Sequence, residues 1–375
     1  MSATEIESPL PTPLYDLHRE LGARMVPFAG YAMPLQYPSG VIKEHQHCRT
    51  RAGLFDVSHM GQIRICGTDA GAALESVLPI DVIDLPVGRQ RYGFLTNDRG
   101  GIMDDLMVAR LEEHYIVVVN AACKARDIAY LRDRIGSRCA IEVLDDHALL
   151  ALQGPRAAAV LAGLSPGVAR LSFMQVCSVV LNGSRCLVSR SGYTGEDGYE
   201  IAVPAAQAED LARALLAADA VAAIGLGARD SLRLEAGLCL YGHDLNEGTS
   251  PVEANLKWAL SKVRRAGGAR AGGYPGAAVV DRHFAAGVTR QLMGIRPAGK
   301  VPVREGSELV DAEGGYLGEV TSGGFGATVG APVAMGYVAA AQAAVGTECF
   351  AVVRGRRVPV TVVKPPFVPH NYYRG

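Results

Sequence analysis

Apolar positions along the chain come mostly in short runs broken by turn formers, with helical spacing in between. Two apolar runs flank Asn97-Asp-Arg-Gly-Gly, a pattern that predicts a β-hairpin within residues 91–120. Residues 53–67 begin as a loop and continue as a strand. Residues 148–156 read as a buried strand ending in a turn, and 176–203 as a strand-rich stretch folded around a glycine-rich loop at 191–198. From 288 to 363, short strands alternate with glycine turns, as in a small antiparallel barrel or sandwich. Helical spacing marks residues 14–21, 42–50, 69–77 (with Asp69 as N-cap), 124–135, 157–164 and 207–217. A capped helix is expected over 249–260. A short helix beginning at Asp230 or Ser231 would carry Arg233 and Glu235. The glycine- and alanine-rich residues 266–276 read as a flexible linker, with a domain boundary between 245 and 285. Residues 1–12 read as a loose lead-in. The fold class is α+β.

A chain of 375 residues with 49% hydrophobic content is too long for one core and should divide into two or three domains. The net charge of −1 gives no pull toward nucleic acid or an anionic membrane. No apolar run reaches membrane-spanning length. The eight cysteines lack zinc-site spacing and read as free thiols in a reducing compartment, so a cytoplasmic location is expected. His45 and His47, two apart on one helix, do not share a face and make a poor metal pair. No metal site is expected.

Zinc-protease motifs and P-loops are missing from the sequence. What remains is a set of polar residues on strand ends and glycine-rich loops: Tyr92, Asp105, Asn120, Tyr193, Glu200 and Arg229. Asp104 and Asp105 are adjacent on one strand and point to opposite faces, so only one of them can meet a given pocket. A carboxylate between an aromatic ring and an amide suits a flat, nitrogen-rich ligand; the plain alternative is an aspartate capping its own turn. Arg229, beside a glycine-built turn, suits a carboxylate ligand or a structural salt bridge.

At this point several longer motifs can be set together: PFAGYAMPLQY (27–37), DVSHMG (56–61), GGIMDDL (100–106), LQGP (152–155), GYTGEDGYE (192–200), ARDSLRLEAGLCLYG (228–242) and TSG (321–323). With them the chain resembles, almost end to end, the aminomethyltransferase (T-protein) family of the glycine cleavage system. The resemblance implies a three-domain ring of mainly antiparallel sheets with flanking helices, a C-terminal β-barrel and folate in the central hole. It implies a discontinuous first domain (1–55 and 140–265), a second domain (56–139) and a barrel domain (280–375). Tetrahydrofolate would be the cosubstrate, and the lipoylated H-protein would bring the donor as an aminomethyl-dihydrolipoyl arm.

Residue by residue, the resemblance assigns the key aspartate to Asp105. It assigns folate contacts to Met60, Tyr92, Val119, Asn120, Phe173, Tyr193, Glu200, Arg229 and Tyr241, with a C-terminal contact at Tyr372 or Arg374. Glu200 would bind the N–H edge of the pterin, between walls made by Tyr193 and Tyr241. Asp104, on the other face, is expected to serve the hairpin turn. Phe173 stands where some relatives have Tyr, and residues 323–330 depart from the family pattern. Two other readings belong to the same superfamily: a folate-dependent demethylase, and a non-catalytic folate-binding protein, whose cysteine signature is missing from the loop at 192–195.

Overall fold

The computed structural model describes residues 8–375, so the first seven residues of the expected lead-in lie outside the described residues. Strands and helices are numbered along the chain. A small sheet holds β1 (Leu10–Pro11), β2 (Arg24–Phe28) and β3 (Tyr31–Gln36). A six-stranded sheet contains β4 (Ala52–Asp56), β10 (His147–Gln153), β11 (Val176–Leu181), β12 (Ser184–Ser189), β13 (Gly198–Pro204) and β14 (Val221–Ala223), in the order β11-β12-β13-β10-β4-β14. A five-stranded sheet contains β5 (Gly61–Cys66), β6 (Arg89–Thr96), β7 (Ile102–Arg110), β8 (His114–Val119) and β9 (Ala140–Val143), in the order β6-β7-β8-β5-β9. The last six strands, β15 (Arg290–Pro297), β16 (Glu308–Val310), β17 (Tyr316–Gly326), β18 (Ala331–Ala339), β19 (Glu348–Val353) and β20 (Arg356–Val363), close into an antiparallel barrel. The protein is thus α+β with a C-terminal closed barrel, as the resemblance implied; of the barrel or sandwich that the pattern left open, the barrel forms.

The burial of each strand follows its sequence. β4 and β10 are apolar almost throughout and are buried on both faces. One face packs on α1 (Tyr15–Glu20), α5 (Ala157–Leu164) and α6 (Ala208–Leu216) through Leu17, Leu161, Leu211 and Leu215. The other meets α2 (Val41–Thr50) and α7 (Leu226–Glu235) through Cys48, Ala228 and Leu232. β7 instead alternates between buried and partly exposed residues, with one side on the core and one side open. That core is closed by α3 (Ala70–Glu75) and α4 (Lys124–Ile135).

The assemblies are joined in a circuit. Val118 of β8 packs with Leu187 of β12, linking the two large sheets. α7 leads from the six-stranded sheet to the barrel: Arg233 donates to Asp244 (2.7 Å) and to Ser322 Oγ of β17 (2.9 Å). Asp244 also accepts from Thr321 and Ser322. From the barrel, Leu292 N donates to Glu253 O (2.8 Å), and Asn255 Nδ2 donates to Leu292 O (2.6 Å). The segment around 252–260 packs in turn on Phe94 and Ile102 of the β6–β7 hairpin, which closes the circuit. α8 (Ala277–Ala286) adds Val280 to the same cluster.

Four local expectations are corrected. No α-helix forms over 249–260. Ser250 and Glu253 do exchange capping bonds, but Asn255 takes a positive φ of 58° that stops propagation after one turn. The helix carrying Arg233 and Glu235 starts at Leu226, ahead of Asp230 and Ser231. Its entry is set by Gly225, where a Cβ would lie 2.4 Å from Leu35 O, and by Glu44, whose carboxylate accepts the Gly225 N–H (2.8 Å). Asp69 occupies the N-cap position of α3 without a capping bond, its carboxylate being taken by Arg138 (2.7 Å). Finally, residues 266–276 are tied down rather than free: Arg270 pairs with Glu75, Asp81 and Asp84, and Tyr274 is buried.

The Arg233–Asp244 pair is almost fully buried, at 3% and 0% exposure of the two side chains. Asp244→Ala removes the buried charge partner of the guanidinium, leaving it only the exposed Asp230 (2.8 Å), and is expected to destabilise the protein by about 3–5 kcal/mol. A lowered urea midpoint measures it; an unchanged midpoint would show that the pair does not hold barrel and helix together.

Candidate active site

The β6–β7 turn is made by Asn97, whose side-chain oxygen accepts from the N–H groups of Arg99 and Gly101 (3.0 Å each), and by Gly100 at φ 76°. The turn sets the register Phe94↔Asp105, and β7 pairs with β8 through Leu106↔Val119. Asn120, just past the end of β8, therefore lies beside Asp105. Tyr92 OH donates to Asp105 Oδ2 (3.0 Å), and Asn120 Nδ2 donates to Asp105 Oδ1 (2.7 Å). The carboxylate is held at both oxygens. Its pKa is pushed up to about 7, first by burial and next by the charge of Asp104, against the two hydrogen bonds that favour ionisation.

Asp104 does not serve the turn. It is fully buried and accepts from Asn120 twice, at the backbone N–H (3.0 Å) and at Nδ2 (2.9 Å). The two aspartates do point to opposite faces, yet one asparagine at the strand end reaches both.

Residues from other elements lie around this strand end. Tyr193, in the 191–198 loop, donates its hydroxyl to Cys239 O and feels the charge of Asp105. The Arg229 guanidinium lies 4.7 Å from the centre of the Tyr193 ring. Arg229 has no ion pair or hydrogen-bond partner among the described residues, which removes the salt-bridge alternative. Burial, as the leading cause, lowers its pKa. His59 is buried, held down to about 4 by burial and then by the nearby Arg229 charge, and is therefore neutral. Arg126 lies over the Tyr241 ring (5.8 Å) and donates to its hydroxyl (3.4 Å). Trp258 stacks on Tyr92 at 5.4 Å with 66% of its surface exposed, forming an open rim.

The other residues singled out from sequence lie apart from Asp105. Phe173 stacks on Tyr372 (4.1 Å), with Arg374 over its ring (5.4 Å) and its N–H bonded to Tyr373 O. This cluster follows the C-terminal tail, which docks on the Tyr193 loop through Asn371 N to Gly195 O (2.8 Å). Met60 lines a cavity of about 480 Å³ with Tyr31, Ser58, Lys124 and His147. Glu200 accepts from Ser191 (2.9 Å) and lines a narrow cleft between the two large sheets with Gln62, Gln90 and Ser189. The Val119 side chain is fully buried in the core of the five-stranded sheet, so it presents no side-chain surface to a ligand. Sequence reasoning missed His59, Arg126, Asp127 and Trp258 as neighbours of the site. Only Trp258, the sole tryptophan, carried a signal.

The N-terminal assembly with a caged carboxylate, followed by a separate closed barrel, defines a two-part protein whose parts both match family models. Residues 14–264 match the GCVT N-terminal domain, and residues 290–369 match the glycine cleavage T-protein C-terminal barrel domain. The chain belongs to the aminomethyltransferase (T-protein) family of the glycine cleavage system. It is 44% identical over 371 residues to the mitochondrial aminomethyltransferase of Homo sapiens, covering 96% of this chain and 91% of that one. It is 41% identical over 379 residues to that of Dictyostelium discoideum, covering 96% and 93%. The crystal structure of the glycine cleavage system aminomethyltransferase T from Bartonella henselae superposes with a TM-score of 0.92 at 45% identity, over 98% of this chain and all of that one.

Arg229 is a partly buried cation with no carboxylate partner among the described residues, so a ligand acid is the natural counter-charge. Arg229→Ala is expected to weaken tetrahydrofolate binding by about 1.5–3 kcal/mol, the range of a charge-assisted hydrogen bond. Isothermal titration with folded protein measures it; unchanged affinity would remove Arg229 from the ligand's contacts.

Proposed function

We propose that this protein carries out the aminomethyltransferase reaction of its family, with tetrahydrofolate as cosubstrate and the aminomethyl-dihydrolipoyl arm of H-protein as donor. In that reaction the methylene carbon leaves sulfur and nitrogen and ends between N5 and N10 of the folate. Ammonia and the free dihydrolipoyl thiol are released, and the two folate N–H protons balance them.

The observation that carries the reading is the Asp105 carboxylate, pinned at one oxygen by Tyr92 and at the other by Asn120, with an unpaired arginine nearby. The residues suit the cosubstrate chemically. Asp105 and Glu200 accept from ring N–H groups, tyrosine and tryptophan faces take flat rings, and Arg229 takes a carboxylate. Positioning two substrates is often the largest contribution in such a transfer. Asp105 adds a fixed negative charge where positive charge develops on the methylene carbon as bonds exchange, and its pKa near neutrality lets it hold or return a proton.

Its protein partner would be the lipoylated H-protein of the glycine cleavage system. No helix among the described residues is long and apolar enough to cross a membrane. The eight free thiols fit a reducing compartment. The human and Dictyostelium relatives are mitochondrial by name, so the mitochondrion stands beside the cytoplasm expected from sequence.

The test is formation of ammonia and methylenetetrahydrofolate in equal amounts from aminomethylated H-protein. Methyl transfer from a sulfonium donor in its place would favour a demethylase. Asp105→Asn keeps the size of the side chain and removes its charge, and should lower turnover by about 3–4 kcal/mol, some hundredfold or more, with a smaller change in folate affinity. Because the competent form is the carboxylate and its pKa is raised to about 7, wild-type turnover should fall as pH drops through that value and level off above it. A flat profile between pH 6 and 8 would show that Asp105 ionisation does not limit the reaction.

A further inference from the structure

We propose that Asp104 and Asp127 share one proton, and that this buried pair acts as a positioning device: it holds Asn120 against Asp105 and keeps a negative charge behind it. The inference rests on the role given to Asp105 above.

Asp127 sits in the first turn of α4, directly after the Asn120–Cys123 turn, and is fully buried, as is Asp104. One oxygen of each, together with Cys123 Sγ, lies within 4.8 Å of the others. Asp104 accepts from Asn120 at both oxygens. Asp127 has only a long contact from Arg126 Nε at one oxygen (3.4 Å), and its other oxygen is buried without a partner. Two carboxylates this close and this dry do not both ionise. The one that receives N–H donors, Asp104, keeps the charge. The one with the bare oxygen, Asp127, keeps the proton and donates it to Asp104, which supplies the missing partner.

The surrounding groups agree. Burial and then Asp104 raise the Asp127 pKa well above the carboxylate range. The Cys123 thiol is also pushed up by burial and stays neutral. Arg126, the cation beside the pair, is engaged by Glu247 (2.7 Å), Met103 O and Tyr241. Burial is the leading cause of the raised Asp105 pKa; the groups facing it, Tyr92, Tyr193 and Cys239, are all raised by burial and neutral, so Asp104 supplies the charge that adds to that rise. The Asn120 amide, its hydrogens divided between Asp104 and Asp105, transmits the position.

The test uses Asp127→Leu, Asp127→Asn and Asp104→Asn in the full chain, assayed with H-protein and tetrahydrofolate, with circular dichroism for folding. Asp127→Leu should lose on the order of tenfold to a hundredfold in kcat, with a smaller change in KM for tetrahydrofolate, as the Asn120–Asp105 geometry loosens. Asp127→Asn should regain most of that loss, because its amide N–H replaces the carboxyl O–H toward Asp104. In Asp104→Asn the acid limb of the kcat profile should move to lower pH by about one unit, since the charge that raised Asp105 is gone. The infrared difference between wild type and Asp127→Asn at neutral pH should show loss of a protonated-carboxyl band.

Equal impairment of Asp127→Asn and Asp127→Leu, an unmoved limb in Asp104→Asn, or an unchanged band would overturn the proposal. So would a zinc-dependent rise in Tm of the wild type that Asp127→Asn lacks, which would put a cation where the proton is inferred. Full turnover in Asp105→Asn would instead remove the role of Asp105, while the infrared result would still decide the shared proton.

Discussion

The buried ion pair between Arg233 and Asp244 is the constraint on which the arrangement of the molecule depends. A guanidinium at 3% exposure cannot be left without its counter-charge. The helix that carries Arg233, the loop that carries Asp244 and the barrel strand that presents Thr321 and Ser322 are therefore fastened to one another. Two residues further along the same helix, Glu235 gathers a second set of partners. His45 Nε2 and Arg49 lie at 3.0 and 3.2 Å, and the N–H groups of Thr328 and Val329 donate from the barrel. Burial alone would raise that carboxyl; these partners bring its pKa down to about 2. Arg229 lies one turn before Arg233, so the junction that fastens the barrel also aims the cation of the site.

Much of this architecture can be read from the chain before any coordinates. The hairpin around Asn97, the α4 and α5 boundaries and the barrel strands follow apolar periodicity and turn residues closely, because in those segments local preference and tertiary packing agree. The misreadings fall where a distant group decides. Gly225 and Gly227 look like turn formers, but they are glycines because Leu35 and Val41 approach too closely for a side chain, and the helix starts right there. Ser250 and Glu253 carry a helix-start signature that the backbone at Asn255 cancels in order to reach Leu292. The glycines of 266–276 resemble a linker until Arg270 is seen with its three carboxylates, all from residues 75–84.

The site divides in the same way. Pairing across one hairpin places Tyr92 beside Asp105, which strand alternation can anticipate. Asp127 is twenty-two residues past Asp105, on a helix, and nothing in its spacing shows that it turns back beneath the strand. Adjacent aspartates on a pleated strand do face apart, as expected, but that rule is silent about a third residue beyond the strand end that bonds to both. The family motifs supplied names for contacts that physical reasoning on a single sequence left open, such as Met60 and Glu200, and these lie in separate clefts.

Trp258 gives the molecule a built-in optical reporter. It is the only indole in the chain, two-thirds exposed, and stacked on the phenol whose hydroxyl holds Asp105. The indole emission of the native protein thus arises at a single known point, on the rim of the cage. Any aromatic ring that enters beside Tyr92 changes the solvent and the stacking partner of that one fluorophore. Occupancy of the site is written directly into the colour and intensity of the light the protein emits.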